Sequence, residues 1–173
     1  MYMKKLASLL ILVGLAMNVS GQDQPKSLKE AMDMAGARWM IGDWEREGSD
    51  GTPRQLSLKW ALQDESAISI HASGGRMQYH GVIGLNPASG KVVGKSFGVG
   101  SVIDAEWDLK SADGKIVEKI TISGMQDGEP LQMTFARSYR KVDDKTAETT
   151  FHRVSDTGEI GEALMTQTLK RKK

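Results

Sequence analysis

Four polar side chains fall on strand faces that are otherwise apolar. Within 130–142, Leu131, Met133, Phe135, Arg137 and Tyr139 share one parity. Within 115–123, Glu118 shares a face with Ile116, Ile120 and Ile122, and within 146–154, Arg153 shares one with Ala147 and Phe151. Period two puts the members of each set on one side of a pleated sheet. If those sides are internal, Glu118, Arg137, Tyr139 and Arg153 sit among hydrophobic walls. A charge buried there is costly unless it is paired or hydrogen-bonded. Two uses follow. Glu118 and an arginine form an ion pair that fixes register, or an arginine and Tyr139 hold the anionic head of a ligand in an apolar cavity.

Other chemistry is less well supplied. The histidines are His71, His80 and His152, none at helical metal spacing, and no cysteine is present as a ligand. His71 opposes Ile68 and Ile70, and His152 opposes Phe151, so both are expected on the solvent side. His80 lies in a strand of mixed faces and is the one placed best to point inward. Serines are available, but no Gly-x-Ser-x-Gly elbow occurs. Asp104, Glu106 and Asp108 share one face of one strand, which reads as a solvated face rather than an acid–base pair or a calcium site. No catalytic residue, metal or cofactor is expected.

The elements that must carry these residues begin after a leader-like segment. Lys4 and Lys5 precede an uncharged run of 12 residues, Leu6 to Met17, and Val19-Ser20-Gly21 fits a small-residue cleavage site. The expectation is a signal peptide over 1–21, an exported protein of the periplasm or the medium, and no stable membrane insertion once the segment is removed. An apolar run of this length falls short of a bilayer span, and an uncleaved N-terminal anchor is the competing reading. A linker over 22–26 and a single domain over 27–173 would follow. With 23 basic and 22 acidic residues the formal charge is +1, which gives no basic excess to attract nucleic acid. With no cysteine in the chain, the core must supply the stability unaided.

Ser27-Leu28-Lys29-Glu30 fits a capping box, and Leu28, Ala31, Met32, Ala35 and Trp39 suit one helical face, so a helix of about three turns is expected. Ten strand-like segments follow, near 43–48, 54–63, 66–73, 76–85, 91–99, 102–110, 115–123, 130–142, 146–154 and 160–170. The connectors are rich in Gly, Asn, Asp and Pro, as tight turns require. This pattern predicts an all-β protein, an antiparallel up-and-down barrel of about 8–10 strands preceded by a short helix. A two-sheet sandwich is the competing layout.

Trp39-Met40-Ile41-Gly42-Asp43-Trp44, at the junction of helix and first strand, resembles the start of lipocalin-like (calycin) barrels. The segment, the turn Asn86 to Gly90 and the final strand are also similar in layout to bacterial exported families of unknown function with that fold. The resemblance implies structural roles for Gly42 and Trp44, with the tryptophan closing one end of the barrel against a basic residue of the last strand, here Lys170 or Arg171. Arg137-Ser138-Tyr139 resembles the carboxylate-binding Arg-x-Tyr of intracellular fatty-acid-binding barrels. Apolar walls to give affinity, with Arg137, Tyr139, Glu118 and Arg153 at an acidic end, favour a non-enzymatic binding protein for a small, mostly apolar or fatty-acid-like ligand. The rival readings are an interaction module whose core is filled by Trp60, Phe97, Trp107 and Phe135, and an enzyme of unrecognised type.

Overall fold

The computed structural model of the protein describes residues 24–48, 51–75, 77–110 and 113–172. The expected leader over 1–21 and parts of the turns at 49–50 and 112 lie outside the described residues. No helix among the described residues is long and apolar enough to cross a membrane.

The chain enters through helix α1 (Leu28–Met34). The Ser27 hydroxyl accepts from the Glu30 amide at 3.1 Å, as the capping box requires. The return bond is displaced by one residue, because Glu30 accepts from the amide of Lys26 rather than of Ser27. The helix is shorter than its apolar spacing suggests. Gly36 adopts φ 62°, and the amides of Gly36 and Ala37 turn back to the carbonyls of Asp33 and Met32, the double bond of a Schellman ending. A single 3-10 turn over Arg38–Met40 then carries Trp39 toward the barrel.

Ten antiparallel strands follow: β1 (Gly42–Glu47), β2 (Pro53–Trp60), β3 (Ala67–Gly74), β4 (Met77–Asn86), β5 (Lys91–Gly98), β6 (Ser101–Asp108), β7 (Ile116–Gln126), β8 (Glu129–Lys141), β9 (Thr146–Val154) and β10 (Ile160–Arg171). Each pairs with its sequence neighbours, and β1 pairs with β10, which closes an up-and-down barrel. Closure leaves no edge strand running the length of the sheet. The alternation in the sequence is realised in the walls. Leu58, Ile68, Ile70, Ile83, Val92, Trp107, Ile116, Ile120 and Leu169 are buried, while Asp104, Glu106 and Asp108 are exposed on the outside. Two of those carboxylates make cross-strand ion pairs, Asp104 with Lys95 at 2.9 Å and Glu106 with Lys91 at 2.8 Å.

One end of the barrel is sealed by the entering chain. Leu28, Ala31, Met32 and Met40 join Trp44, Trp107 and Leu169 in one buried cluster. Trp44 donates its indole N–H to the Met40 carbonyl at 2.8 Å and meets Trp39 edge-on at 6.0 Å. The basic partner is Arg171, whose guanidinium lies 4.4 Å from the centre of the Trp44 ring. Its nitrogens donate to the carbonyls of Ile41 at 2.9 Å, Trp39 at 2.6 Å and Asp144 at 3.2 Å. Gly42 makes room for this. It adopts φ 140°, and a Cβ there would stand 2.2 Å from Arg171 Nη1.

The other end is open. Strand β8 pairs with β9 only from Phe135, opposite Arg153, onward, so residues 129–134 stand free on that side. Leu131, Met133, Met165 and Val99 are exposed around this mouth. Leu62 lies beyond the end of β2 and is exposed, and Phe97, which the filled-core reading places inside, points outward, because Val92, Gly94 and Ser96 take the inner positions of β5.

Candidate functional site

Strands β7 and β8 pair so that Glu118 faces Arg137 directly and Ile116 faces Tyr139. This register gathers the polar residues singled out from the sequence. Arg137 donates to Glu118 Oε2 through Nε at 3.0 Å and Nη2 at 2.7 Å, and the Tyr139 hydroxyl donates to the same oxygen at 2.9 Å. Glu118 and Tyr139 are each 2% exposed. Burial works against the Arg137 cation, but the Glu118 carboxylate, with Tyr139 and Tyr79, outweighs it and holds the guanidinium well above its ordinary pKa. Burial, the neighbouring Glu118 and the bond to it push the Tyr139 hydroxyl well above the usual phenol range, despite the opposing pull of Arg137. Trp107 stacks on Tyr139 with ring centres 5.9 Å apart and planes 13° apart, which fixes both rings.

Arg153 does not join them. It keeps the inward parity of Phe151 but lies opposite Phe135 at the mouth, where β9 ends, and it is exposed. The histidines also lie off the lumen. His71 and His80 pair side by side on the outer face with ring centres 6.0 Å apart, because Tyr79, not His80, takes the inner position of β4. His152 is likewise outside, with Nε2 3.0 Å from the Ser138 hydroxyl. No group of three or more His, Cys, Asp or Glu among the described residues is placed to hold a metal.

Beside the Glu118–Arg137–Tyr139 cluster lies a luminal cavity of about 250 Å³. Ile70, Ile83, Ile103, Ile120, Phe135 and Phe151 form its apolar walls. The cavity survives because the wall made by β4 to β6 carries small side chains, Gly94, Ser96 and Ala105, where Phe97 would otherwise have filled it. Three arginines line the space, Arg46, Arg54 and Arg137, against one carboxylate, Glu118. Arg46 lies 5.9 Å from the centre of the Phe151 ring and has no ion-pair partner among the described residues. Burial, with the positive charges of Arg54 and Arg137 nearby, lowers its pKa from the ordinary guanidinium value. In the lining, Trp107 Nε1 and Gln167 Oε1 have no hydrogen-bond partner among the described residues.

Arg46, Arg54 and Trp107 escaped notice as site residues. The signal for two of them was present: Arg54 has the parity of Leu56 and Leu58, and Arg46 that of Trp44. Charged residues near strand ends read as solvated, and only barrel closure turns these two inward. Comparison with protein-family models and with curated proteins finds no match to the chain.

Proposed function

We propose that this is an exported, lipocalin-like barrel whose lumen binds a small, mostly apolar ligand through an acidic group. The supporting observation is Arg46: Glu118 is already engaged by Arg137, which leaves Arg46 at the cavity with no ion-pair partner among the described residues. A ligand carboxylate would supply the counter-charge, and the isoleucine and phenylalanine side chains would supply affinity for the rest of the molecule. In this reading Arg137 and Tyr139 shape and polarise the acidic end, with the Arg137 charge neutralised by Glu118, and Arg46 is the cation that meets the acid. The mouth between β8 and β10 gives access. The leader pattern over 1–21 supports export.

Titration calorimetry with octanoate and 1-octanol tests the reading. Octanoate should bind more tightly than the alcohol, and Arg46→Met should weaken octanoate at least tenfold while leaving the alcohol unchanged. Equal binding of the two would remove the acidic group from the proposal. Binding of neither would favour the filled interaction module.

A further inference from the structure

We infer that the cavity contains a second polar subsite, on the wall built by β4 to β6, that accepts an oxygen of the ligand remote from its acidic group. The inference rests on the ligand-binding reading above. Its core is the indole of Trp107. The residue is 6% exposed, it lines the cavity, and its Nε1–H has no acceptor among the described residues. A buried donor without an acceptor is costly, so such groups mark places where a partner belongs. The ring cannot turn away to find one, because it is stacked on Tyr139, whose hydroxyl is itself held by Glu118.

The wall around this N–H carries little side-chain bulk. Gly94 faces the cavity next to it. A Cβ on Gly94 would stand 3.5 Å from Trp107 Nε1 and 3.3 Å from Ile83 Cγ1, so the missing side chain is what opens the niche. The buried Ser96, two residues along β5, brings a hydroxyl to the same wall. Trp107 belongs to the cluster at the helix-sealed end, whereas Arg46 lies on the wall formed by β1, across the barrel. A ligand that meets both has an acid at one end and an oxygen acceptor at the other.

The size of the cavity narrows the class further. A cavity of about 150 Å³ holds a benzene-sized molecule. The 250 Å³ here therefore suits about ten non-hydrogen atoms. The class is a compact monocarboxylic acid carrying a carbonyl or hydroxyl oxygen, not a long-chain fatty acid enclosed along its whole length.

Paired titration of octanoate and 7-oxooctanoate, followed by the indole N–H resonances of the labelled protein, tests this. The oxo acid should bind at least fivefold more tightly, and it alone should shift the Trp107 indole resonance. Trp107→Phe should abolish the preference for the oxo acid. Gly94→Ala, which fills the niche while leaving the indole in place, should level the two acids as well and stands in if Trp107→Phe does not fold. Equal affinities in the unsubstituted protein, with the Trp107 resonance unmoved, would overturn the subsite while leaving the acid-binding reading intact. Failure of both acids to bind would overturn both.

Discussion

Glu118 and Arg137 face each other across neighbouring strands, with Arg137 Nη2 2.7 Å from Glu118 Oε2, inside a barrel wall that is otherwise apolar. The pair is already closed without any ligand, and Tyr139 donates to the same carboxylate oxygen. The guanidinium is therefore committed to the fold first. Arg137→Met should strand a buried carboxylate and destabilise the protein by about 3–5 kcal/mol in a denaturant melt. Glu118→Leu combined with Arg137→Met should cost less than either change alone, since neither charge is then left unpaired. A double variant that simply sums the two losses would show that the charges do not act as a pair.

Tyr139 links the cluster to alkaline pH. Its folded-state pKa lies well above the unfolded value of 10.0, chiefly because burial opposes the phenolate. Between the two values the folded form holds a proton that the unfolded form has lost, so stability is fully present below about pH 10 and falls as pH rises beyond it. The slope contributed is up to about 1.4 kcal/mol per pH unit. Tyr139→Phe should flatten that part of the stability profile. An unchanged slope between pH 10 and 11 would place the alkaline loss elsewhere.

The sealed end depends on Trp44 and on the room given by Gly42. Trp44→Ala should cost about 3–5 kcal/mol, the usual range for deleting a large buried aromatic. Gly42→Ala should cost about 1–3 kcal/mol, because its Cβ would meet Arg171 Nη1 and force the guanidinium off the Trp44 ring. In Gly42→Ala combined with Arg171→Ala, the glycine substitution should cost less than it does alone. Additive losses would mean that the backbone angle at Gly42, not the clash, carries the cost.

Phe97 offers a contrast between two aromatics of the same wall. It lies 60% exposed on the outer face, whereas Trp107 is buried. Phe97→Ser should change stability by no more than about 0.5 kcal/mol, as for other exposed positions. A loss above about 2 kcal/mol in thermal or denaturant unfolding would argue that the outer face of β5 is covered.

The sequence by itself determined the ten strands, their approximate limits, the capped helix ahead of them, and which residues alternate in most walls. Those features follow from local rules: period-two hydrophobicity, turn residues, and a Ser-x-x-Glu cap. It also placed Arg137 and Tyr139 on the apolar face of one strand and Glu118 on the apolar face of another, since parity is a property of each strand alone. Tertiary structure decided the rest. Strand order and register brought Glu118 on β7 opposite Arg137 on β8, while Arg153 on β9, which does not pair with β7, falls opposite Phe135 at the mouth. Ring closure turned Arg46 and Arg54 toward the lumen and gave Tyr79, in place of His80, the inner position on β4. The empty volume was illegible for the same reason. Strand β5 carries weak alternation, interrupted by glycines, so whether Phe97 or Ser96 faces inward depends on how the strand pairs with its neighbours. That one choice of face separates a filled barrel from one with space for a ligand.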